Sequence, residues 1–198
     1  MSNSSLKVGR VLRADTRGFV IGCTVLQPDI PAFGSFVRAE GRAPESAIYG
    51  TIYDVSLEDD AFVRHFISVN PTEEVIQDQR QNRQVPIEVS VLALGCSDGK
   101  RIRHCLPAQP PVTLDWLYQC TDEEVRGFTA RFDYFRLVLE AREAPTDELL
   151  AASLRAAAAA RPAGEREIFL IEAGRELARL LAGDPVRLEG LLRRLRDV

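Results

Sequence analysis

The residues in this sequence best suited to hold a metal are its two histidines, His65 and His104, and two of its four cysteines, Cys96 and Cys105. An Asp-Gly pair at 98–99, typical of a hairpin turn, lies between the cysteines, so two facing strands would bring them together. Zinc sites usually contain closely spaced ligand pairs such as Cys-x-x-Cys, and this spacing is not a known metal signature. We therefore expect no metal here, with both cysteines in the core and His104 at the surface.

Other catalytic chemistry finds little support in the sequence. The acidic run at 58–60 offers carboxylates for acid–base work, but three adjacent acids are typical of a solvated turn. Neither Lys7 nor Lys100 follows the glycine run of a phosphate-binding loop, and no Gly-x-Ser-x-Gly motif occurs. We expect no catalytic residue, no cofactor and no enzymatic activity; the alternative is an enzyme whose site converges only in three dimensions.

Two basic clusters are candidate contacts for nucleic acid. One holds Lys100, Arg101 and Arg103 on the predicted hairpin, and the other is the arginine-rich stretch at 193–196. Small barrels bind single strands by combining basic with aromatic residues, but no aromatic residue is interleaved with either cluster. The formal net charge of −4 also argues against a protein that neutralises many phosphates. A solvated strand edge, where charge blocks edge-to-edge pairing, is the favoured interpretation.

A capping box at Thr121 predicts the first helix of the C-terminal half. The Thr121 hydroxyl is placed to accept from the backbone N–H of Glu124, whose carboxylate reaches back. Apolar residues then recur at spacings of three and four, which places them on one face of one helix. They are Val125, Phe128, Phe132, Phe135 and Leu139. Such a stripe is usually core; the alternative is that Phe128, Phe132 and Phe135 form a partner-binding face.

Short runs of strand-forming residues, separated by glycines and prolines, fill the chain before Cys120. They lie at 7–12, 19–25, 33–39, 47–55 and 86–92, with a short return strand at 101–103. The glycines suit a tightly curved sheet. We predict a small closed antiparallel β-barrel over residues 7–111, after a disordered tail at 1–6 and interrupted by a polar helical insertion at 70–84.

The chain after residue 111 is predicted to be a helical domain of about four helices at 112–198. The proline-rich connector at 107–111 is the best domain boundary, because polyproline geometry makes it an extended spacer. After the helix that begins at Thr121, helices are expected at 149–160, at 165–182 and from Pro185 onward. Short loops imply antiparallel neighbours, as in a small bundle. The predicted fold class is α+β, with an all-β N-terminal part and an all-α C-terminal part.

Four motifs follow one another along the predicted barrel. They are Val-Gly-Arg-Val-Leu at 8–12, Gly-Ser-Phe-Val at 34–37, Tyr-Gly-Thr-Ile-Tyr at 49–53 and Pro-Ile-Glu-Val-Ser-Val-Leu at 86–92, followed by Gly95, Ile102 and Pro107. In their order and spacing they resemble the HerA–ATP synthase barrel (HAS-barrel) family. The resemblance covers residues 7–111, with the polar segment as an insertion.

The resemblance implies a fold and a role rather than a reaction. In that family the barrel is the N-terminal module of hexameric motors, carries no catalytic residues, and provides ring contacts and a docking surface. Here helices stand where the P-loop ATPase domain would follow. We therefore expect a non-enzymatic assembly or adaptor protein whose barrel mediates oligomerisation or docking to a HerA-like ATPase or a related DNA-processing complex. The alternative is a single-strand nucleic-acid-binding module that uses the basic hairpin.

Composition favours a cytoplasmic chain without membrane contact. No apolar run approaches the roughly 20 residues that span a bilayer, and residues 1–5 lack the features of a secretory signal. The cysteines occur singly, as expected of reduced thiols in the cytosol.

Overall fold

The computed structural model describes residues 6–25, 32–43, 45–57, 68, 72–74 and 85–196. The acidic run at 58–60, His65 and most of the predicted insertion at 70–84 lie outside the described residues. Within the described chain the strands are β1 (Lys7–Ala14), β2 (Gly18–Val25), β3 (Phe36–Glu40), β4 (Ala47–Leu57), β5 (Val85–Ser97), β6 (Ile102–Arg103) and β7 (Trp116–Gln119). The helices are α1 (Asp122–Phe128), α2 (Phe135–Leu139), α3 (Thr146–Ala159), α4 (Ala163–Leu180) and α5 (Pro185–Arg196).

Six of the strands close into an antiparallel barrel. β1 pairs with β2, β2 with β5, β5 with β4, β4 with β3, β3 with β7, and β7 returns to β1. The short β6 lies outside this ring, where it pairs with the end of β5 across the Asp-Gly turn. The predicted closed barrel with helices in the C-terminal part is confirmed, and so is the hairpin.

Every strand of the ring contributes apolar side chains to the barrel interior. Along β5, Val89, Val91 and Ala93 point inward and are at most 1% exposed, because successive side chains of a strand alternate between its two faces. Most of the interior residues are β-branched, which suits a curved, pleated wall. The interior is filled by Val8, Val11, Phe19, Ile21, Val37, Ala39, Ile48, Ile52, Ile87, Val89, Val91, Ala93 and Leu117.

The barrel is complete only with β7, which follows the proline-rich connector. The boundary between strands and helices therefore lies at Cys120 and not at 107–111, and the prediction of an all-helical 112–198 is corrected for its first residues. β7 joins β1 to β3. The turn before it is fastened to β1, since Leu114 N donates to Val11 O (2.8 Å) and Val11 N donates to Asp115 O (3.0 Å). The connector thus links two strands of one sheet, β6 and β7, rather than two domains.

The helices pack on the outer face of β3, β4 and β5. The outward side chains Phe36, Tyr49, Leu92 and Leu94 are at most 8% exposed because they belong to the core of the helical part. α3 supplies six buried residues to this core: Leu149, Leu150, Ala151, Leu154, Ala157 and Ala158. Gly34, just before β3, has a φ of +83°, and a Cβ built there would lie 2.5 Å from the Cβ of Ala152 in α3. Glycine is therefore required at this contact.

The single helix predicted from the apolar stripe is in fact two helices. α1 ends at Phe128 and α2 begins at Phe135. Two carbonyl oxygens that a continuous helix would use internally are bound by distant side chains: His104 Nε2 lies 2.9 Å from Phe128 O, and Arg161 Nη2 donates to Thr129 O at 3.2 Å. Because these acceptors are satisfied from outside, the chain can leave the helix without burying unpaired carbonyls.

The capping box predicted at Thr121 is confirmed. The Thr121 hydroxyl accepts from Glu124 N (3.3 Å), and Thr121 N donates to Glu124 Oε2 (2.8 Å). α3, α4 and α5 lie close to where the apolar spacing and the end signals placed them. None of the helices in the described chain has both the length and the apolar character that crossing a membrane requires.

Candidate functional site

The basic hairpin between β5 and β6 carries an acidic residue at its centre. Lys100, Arg101 and Arg103 are exposed, as a nucleic-acid contact would require. The Asp98 carboxylate accepts from Lys100 N (3.1 Å), Arg101 N (2.9 Å) and Arg103 Nη2 (2.7 Å). The backbone hydrogen bonds above all, with the nearby Arg103 charge, lower the pKa of Asp98, so its negative charge persists at neutral pH.

A second carboxylate lies against the same turn. A Cβ built on Gly99 would be 3.2 Å from Glu45 Oε2, so Glu45 touches the hairpin beside Asp98. Two carboxylates therefore offset much of the charge of the three cations. The field that the hairpin presents to a phosphate chain is weaker than the sequence alone indicates.

The structure brings Cys96 and Cys105 together and turns His104 away from them. The two Sγ atoms are 3.6 Å apart. The His104 side chain is 5% exposed, so its predicted surface position is wrong. The predicted core position of Cys105 is also wrong, since Cys105 is exposed and Cys96 is half-buried. Within the described ranges, no group of three or more His, Cys, Asp and Glu side chains is arranged to hold a metal ion.

His104 lies in an aromatic pocket between the barrel and α1. Its ring centroid is 4.7 Å from that of Phe128 and 5.3 Å from that of Tyr134. Burial is the main cause that lowers the pKa of His104, although the bond to Phe128 O and the nearby Asp133 carboxylate oppose it. His104 therefore works here as a neutral buried donor that anchors β6 to the end of α1.

The three phenylalanines of the predicted stripe lie in the helical core. Phe128 and Phe135 are 1% and 0% exposed, and Phe132 is half-buried. Phe128 stacks on Tyr49 of β4 at a centroid distance of 5.1 Å, whereas Phe132 packs on Phe169 of α4 at 5.6 Å. The early part of the stripe thus meets the barrel and the later part meets the helices. The buried rings of Phe128 and Phe135 leave no room for the alternative of a partner-binding face there.

An exposed apolar surface lies on the outer wall of the barrel, where β1 meets the turn before β7. Leu12, Val112 and Leu114 are 44%, 42% and 63% exposed. The hydrogen bond from Leu114 N to Val11 O holds this turn beside β1. We call the following set the wall patch: Arg10, Leu12, Val112, Leu114 and Trp116.

A cation stack forms the polar part of the wall patch. The Arg10 guanidinium lies 3.9 Å from the centroid of the Trp116 ring, and Lys7 Nζ also lies over this ring at 4.7 Å. Arg10 Nη1 donates to Leu114 O at 2.6 Å. Among the described residues, neither Lys7 nor Arg10 has a carboxylate at ion-pair distance. Within the part of the chain that the structure describes, this surface combines apolar contact area with positive charge that no carboxylate pairs.

Sequence reasoning missed this surface because it ended the barrel before Trp116. The signal that would have found it is the run Trp-Leu-Tyr at 116–118, in which bulky strand formers alternate around an inward leucine. Leu117 is indeed fully buried in the barrel interior. Trp116 and Tyr118 consequently lie on the outer face of β7, each with an arginine over its ring.

Two neighbouring clefts, of about 440 and 350 Å³, share Arg17 and Glu143. Two of the charged groups at the first cleft have partners: Asp15 Oδ1 accepts from the backbone N–H of Arg17 at 2.7 Å, and Arg13 binds both carboxylate oxygens of Glu88. Both clefts are lined by acidic as well as basic side chains. Neither cleft presents a field of one sign to a charged ligand.

No protein-family model matches the sequence, and a search of curated proteins finds no match either.

Proposed function

We propose that this protein is a non-enzymatic assembly or adaptor protein whose barrel docks a protein partner through the wall patch. The partner that we propose is the barrel of a HerA-like ATPase, the contact implied by the HAS-barrel resemblance of the sequence. Association with a second copy of this chain is the alternative use of the same surface. The observation that carries the proposal is the exposure of Leu12, Val112 and Leu114 around the stacked Arg10 and Trp116.

The composition of the wall patch is that of an interface centre. Tryptophan and arginine are the residue types most enriched among those that dominate binding energy, and apolar neighbours exclude water around them. Arg10 is already held by the Trp116 ring and by Leu114 O. Because its side chain is ordered before binding, less conformational entropy is lost when a partner covers it.

The charge of the wall patch specifies the partner's chemistry. Lys7 and Arg10 have no carboxylate at ion-pair distance within the described chain. A complementary protein surface would place carboxylates around an apolar centre that covers Leu114. Such pairing raises the association rate and makes it sensitive to salt.

Two other uses of the barrel have weaker support. Its interior is filled by side chains from all six strands of the ring, so a ligand would have to bind outside. The basic hairpin carries Asp98 and touches Glu45, and the Trp116 ring is covered by Arg10 and is not free to stack on a base. The nucleic-acid alternative therefore lacks both a strong field and an open aromatic platform.

Sedimentation velocity of this chain mixed with a recombinant HerA-like ATPase from the same genome tests the proposal. We expect a complex that Leu114→Asp and Arg10→Glu each weaken by about tenfold or more. Leu114 has a φ of +72°, and aspartate tolerates that backbone region, so the variant should fold. Ile168→Asp is the matched control, because Ile168 is 59% exposed on α4, away from the wall patch.

Loss of the complex in the two wall-patch variants, with Ile168→Asp behaving as wild type, would support docking to the ATPase. Self-association of the wild-type chain that the same two variants abolish would identify a second copy as the occupant. A mixture without any complex, or one that Ile168→Asp disrupts equally, would contradict the proposal. Salt-sensitive binding of a single-stranded oligonucleotide, lost in Lys100→Glu or Arg101→Glu, would favour the nucleic-acid alternative instead.

A further inference from the structure

The hairpin of β5 and β6 brings two thiols together on the outside of the barrel. Cys96 lies near the end of β5, opposite Arg103 of β6. Cys105 follows two residues later, where its N–H donates to Arg103 O at 3.2 Å and the chain folds back. The two Sγ atoms are 3.6 Å apart as a result, although 8 residues separate the cysteines in the printed sequence.

The two thiols differ in accessibility. Cys105 is exposed and Cys96 is half-buried, so a reagent in solution reaches Cys105 first. The other two cysteines of the chain, Cys23 and Cys120, lie in β2 and directly after β7. Burial raises the pKa of both thiols, and it is also the main cause that raises the pKa of Cys96. The pair is therefore distinguished by geometry, since the Sγ atoms of Cys96 and Cys105 are in contact. Cys96 and Cys105 are thus the candidate pair, and Cys23 and Cys120 serve as internal controls.

We propose that Cys96 and Cys105 form a reversible intramolecular disulfide, with a low-molecular-weight disulfide as the oxidant. The Cys105 thiolate attacks one sulfur of the oxidant, forms a mixed disulfide and releases one thiolate. The Cys96 thiolate then attacks the Cys105 sulfur, forms the Cys96–Cys105 bond and releases the second thiolate. The two protons of the protein thiols end on the two released thiols, and two electrons pass from the protein to the oxidant.

The disulfide would constrain the hairpin next to His104, the residue that connects it to α1. The sulfurs have to approach from 3.6 Å to about 2.05 Å, a movement that the exposed Cys105 side chain can supply. His104 lies between Arg103 and Cys105 and binds Phe128 O at the end of α1. Oxidation therefore closes a covalent loop around the residue that joins β6 to α1. We expect the melting temperature of the oxidised protein to exceed that of the reduced protein by about 5 °C.

Thiol mapping of the intact chain tests the disulfide. The reduced protein is equilibrated with oxidised glutathione, quenched with acid, alkylated in denaturant and weighed by mass spectrometry. We expect wild type to lose two of its four thiols without retaining glutathione, and a peptide map to join Cys96 to Cys105. Cys96→Ser should instead accumulate glutathione on Cys105, because the second step is missing, and Cys105→Ser should retain a free thiol at Cys96. Cys23→Ser should form the same bond as wild type.

Four free thiols in the treated wild type, or a stable glutathione adduct at Cys105, would overturn the proposal. So would a bond that joins two chains on a non-reducing gel, or protection from alkylation that a chelator removes, since that would indicate a bound metal. An unchanged melting temperature after oxidation, with the bond mapped, would overturn the inference that the bond fastens the hairpin to α1. Each variant is first melted under reducing conditions to establish that it folds.

Discussion

His104 shows how one side chain connects the barrel to the helices. It directly follows β6, and its ring packs between Phe128 and Tyr134. Its Nε2 lies 2.9 Å from the carbonyl oxygen of Phe128. A carbonyl only accepts, so Nε2 carries the proton of the neutral ring. The carbonyl at the end of α1 needs an N–H donor, which the neutral His104 ring supplies without a positive charge.

We predict that the protein loses stability as the pH falls below the ordinary pKa of histidine. Burial, the largest cause, lowers the pKa of His104 from 6.5; the bond to Phe128 and the charge of Asp133 oppose this, and Arg131 adds to it. The unfolded chain therefore binds the proton at a higher pH than the folded chain. The stabilisation is complete above about pH 6.5 and is lost progressively below it. Urea unfolding at about pH 7.5, 6.5 and 5.5 measures this loss.

His104→Gln isolates the contribution of this ring, because glutamine keeps an N–H donor and does not titrate in this range. We expect the variant to be less stable at neutral pH and to show a flatter pH dependence than wild type. His65→Gln controls for the other histidine of the chain. A His104→Gln profile parallel to that of wild type would show that His104 does not carry the pH dependence.

Whether a residue's role is readable from sequence depends here on the distance to its partner along the chain. The capping box was predicted because Thr121 and Glu124 are three residues apart and their pattern is local. His104 and Arg161 bind carbonyls 24 and 32 residues away. No local pattern marks such a pair, so the sequence predicted a surface histidine and did not predict the contact of Arg161 with Thr129.

The apolar stripe is divided between α1 and α2, and its two ends pack against different parts of the protein. We predict that Phe128→Ala lowers the free energy of unfolding by about 3–5 kcal/mol, since the ring is 1% exposed and stacks on Tyr49. Phe132→Ala should cost less, about 1–2 kcal/mol, because that ring is half-buried against Phe169. Chemical denaturation of both variants, compared with wild type, measures the two losses.

Both phenylalanine variants should elute from a sizing column like wild type under native conditions, because the contacts lie within one chain. A stable Phe128→Ala variant with an altered oligomeric state would contradict the core position of this ring. It would also restore the interpretation of the stripe as a partner-binding face.

Most strands and helices were predictable because apolar periodicity reports directly on which face is buried. β7 was not predicted, because its four residues follow a proline-rich connector that indicated a domain boundary. The gap between α1 and α2 was not predicted either, since the spacing of three and four continues through it. In both places contacts with distant residues decide the structure: pairing with β1 and β3 for β7, and the carbonyl contacts of His104 and Arg161 for α1.

At the scale of the whole molecule, the barrel and the helices share an apolar core. Phe36, Tyr49 and Leu94 belong to barrel strands, yet they lie in the same cluster as Phe128 and Leu150. Arg38 of β3 adds a polar link, because its Nε lies 2.6 Å from Glu124 Oε1 of α1. Separating the two parts would expose these side chains to water, at a cost of roughly 25 cal/mol for each Å² of apolar surface.

We therefore predict that the protein unfolds in one cooperative transition. Trp116 is the only tryptophan of the chain and lies in β7, so its fluorescence reports on the barrel, while far-ultraviolet circular dichroism reports mainly on the helices. The two signals should give the same midpoint in urea. Leu150→Ala sharpens the test, because Leu150 is fully buried in α3 and its loss should cost about 2–5 kcal/mol. In a shared core this variant shifts both curves equally, whereas independent domains would shift the dichroism curve and leave the fluorescence curve in place. That second outcome would show that the barrel folds by itself and that its contact with α3 contributes little to its stability.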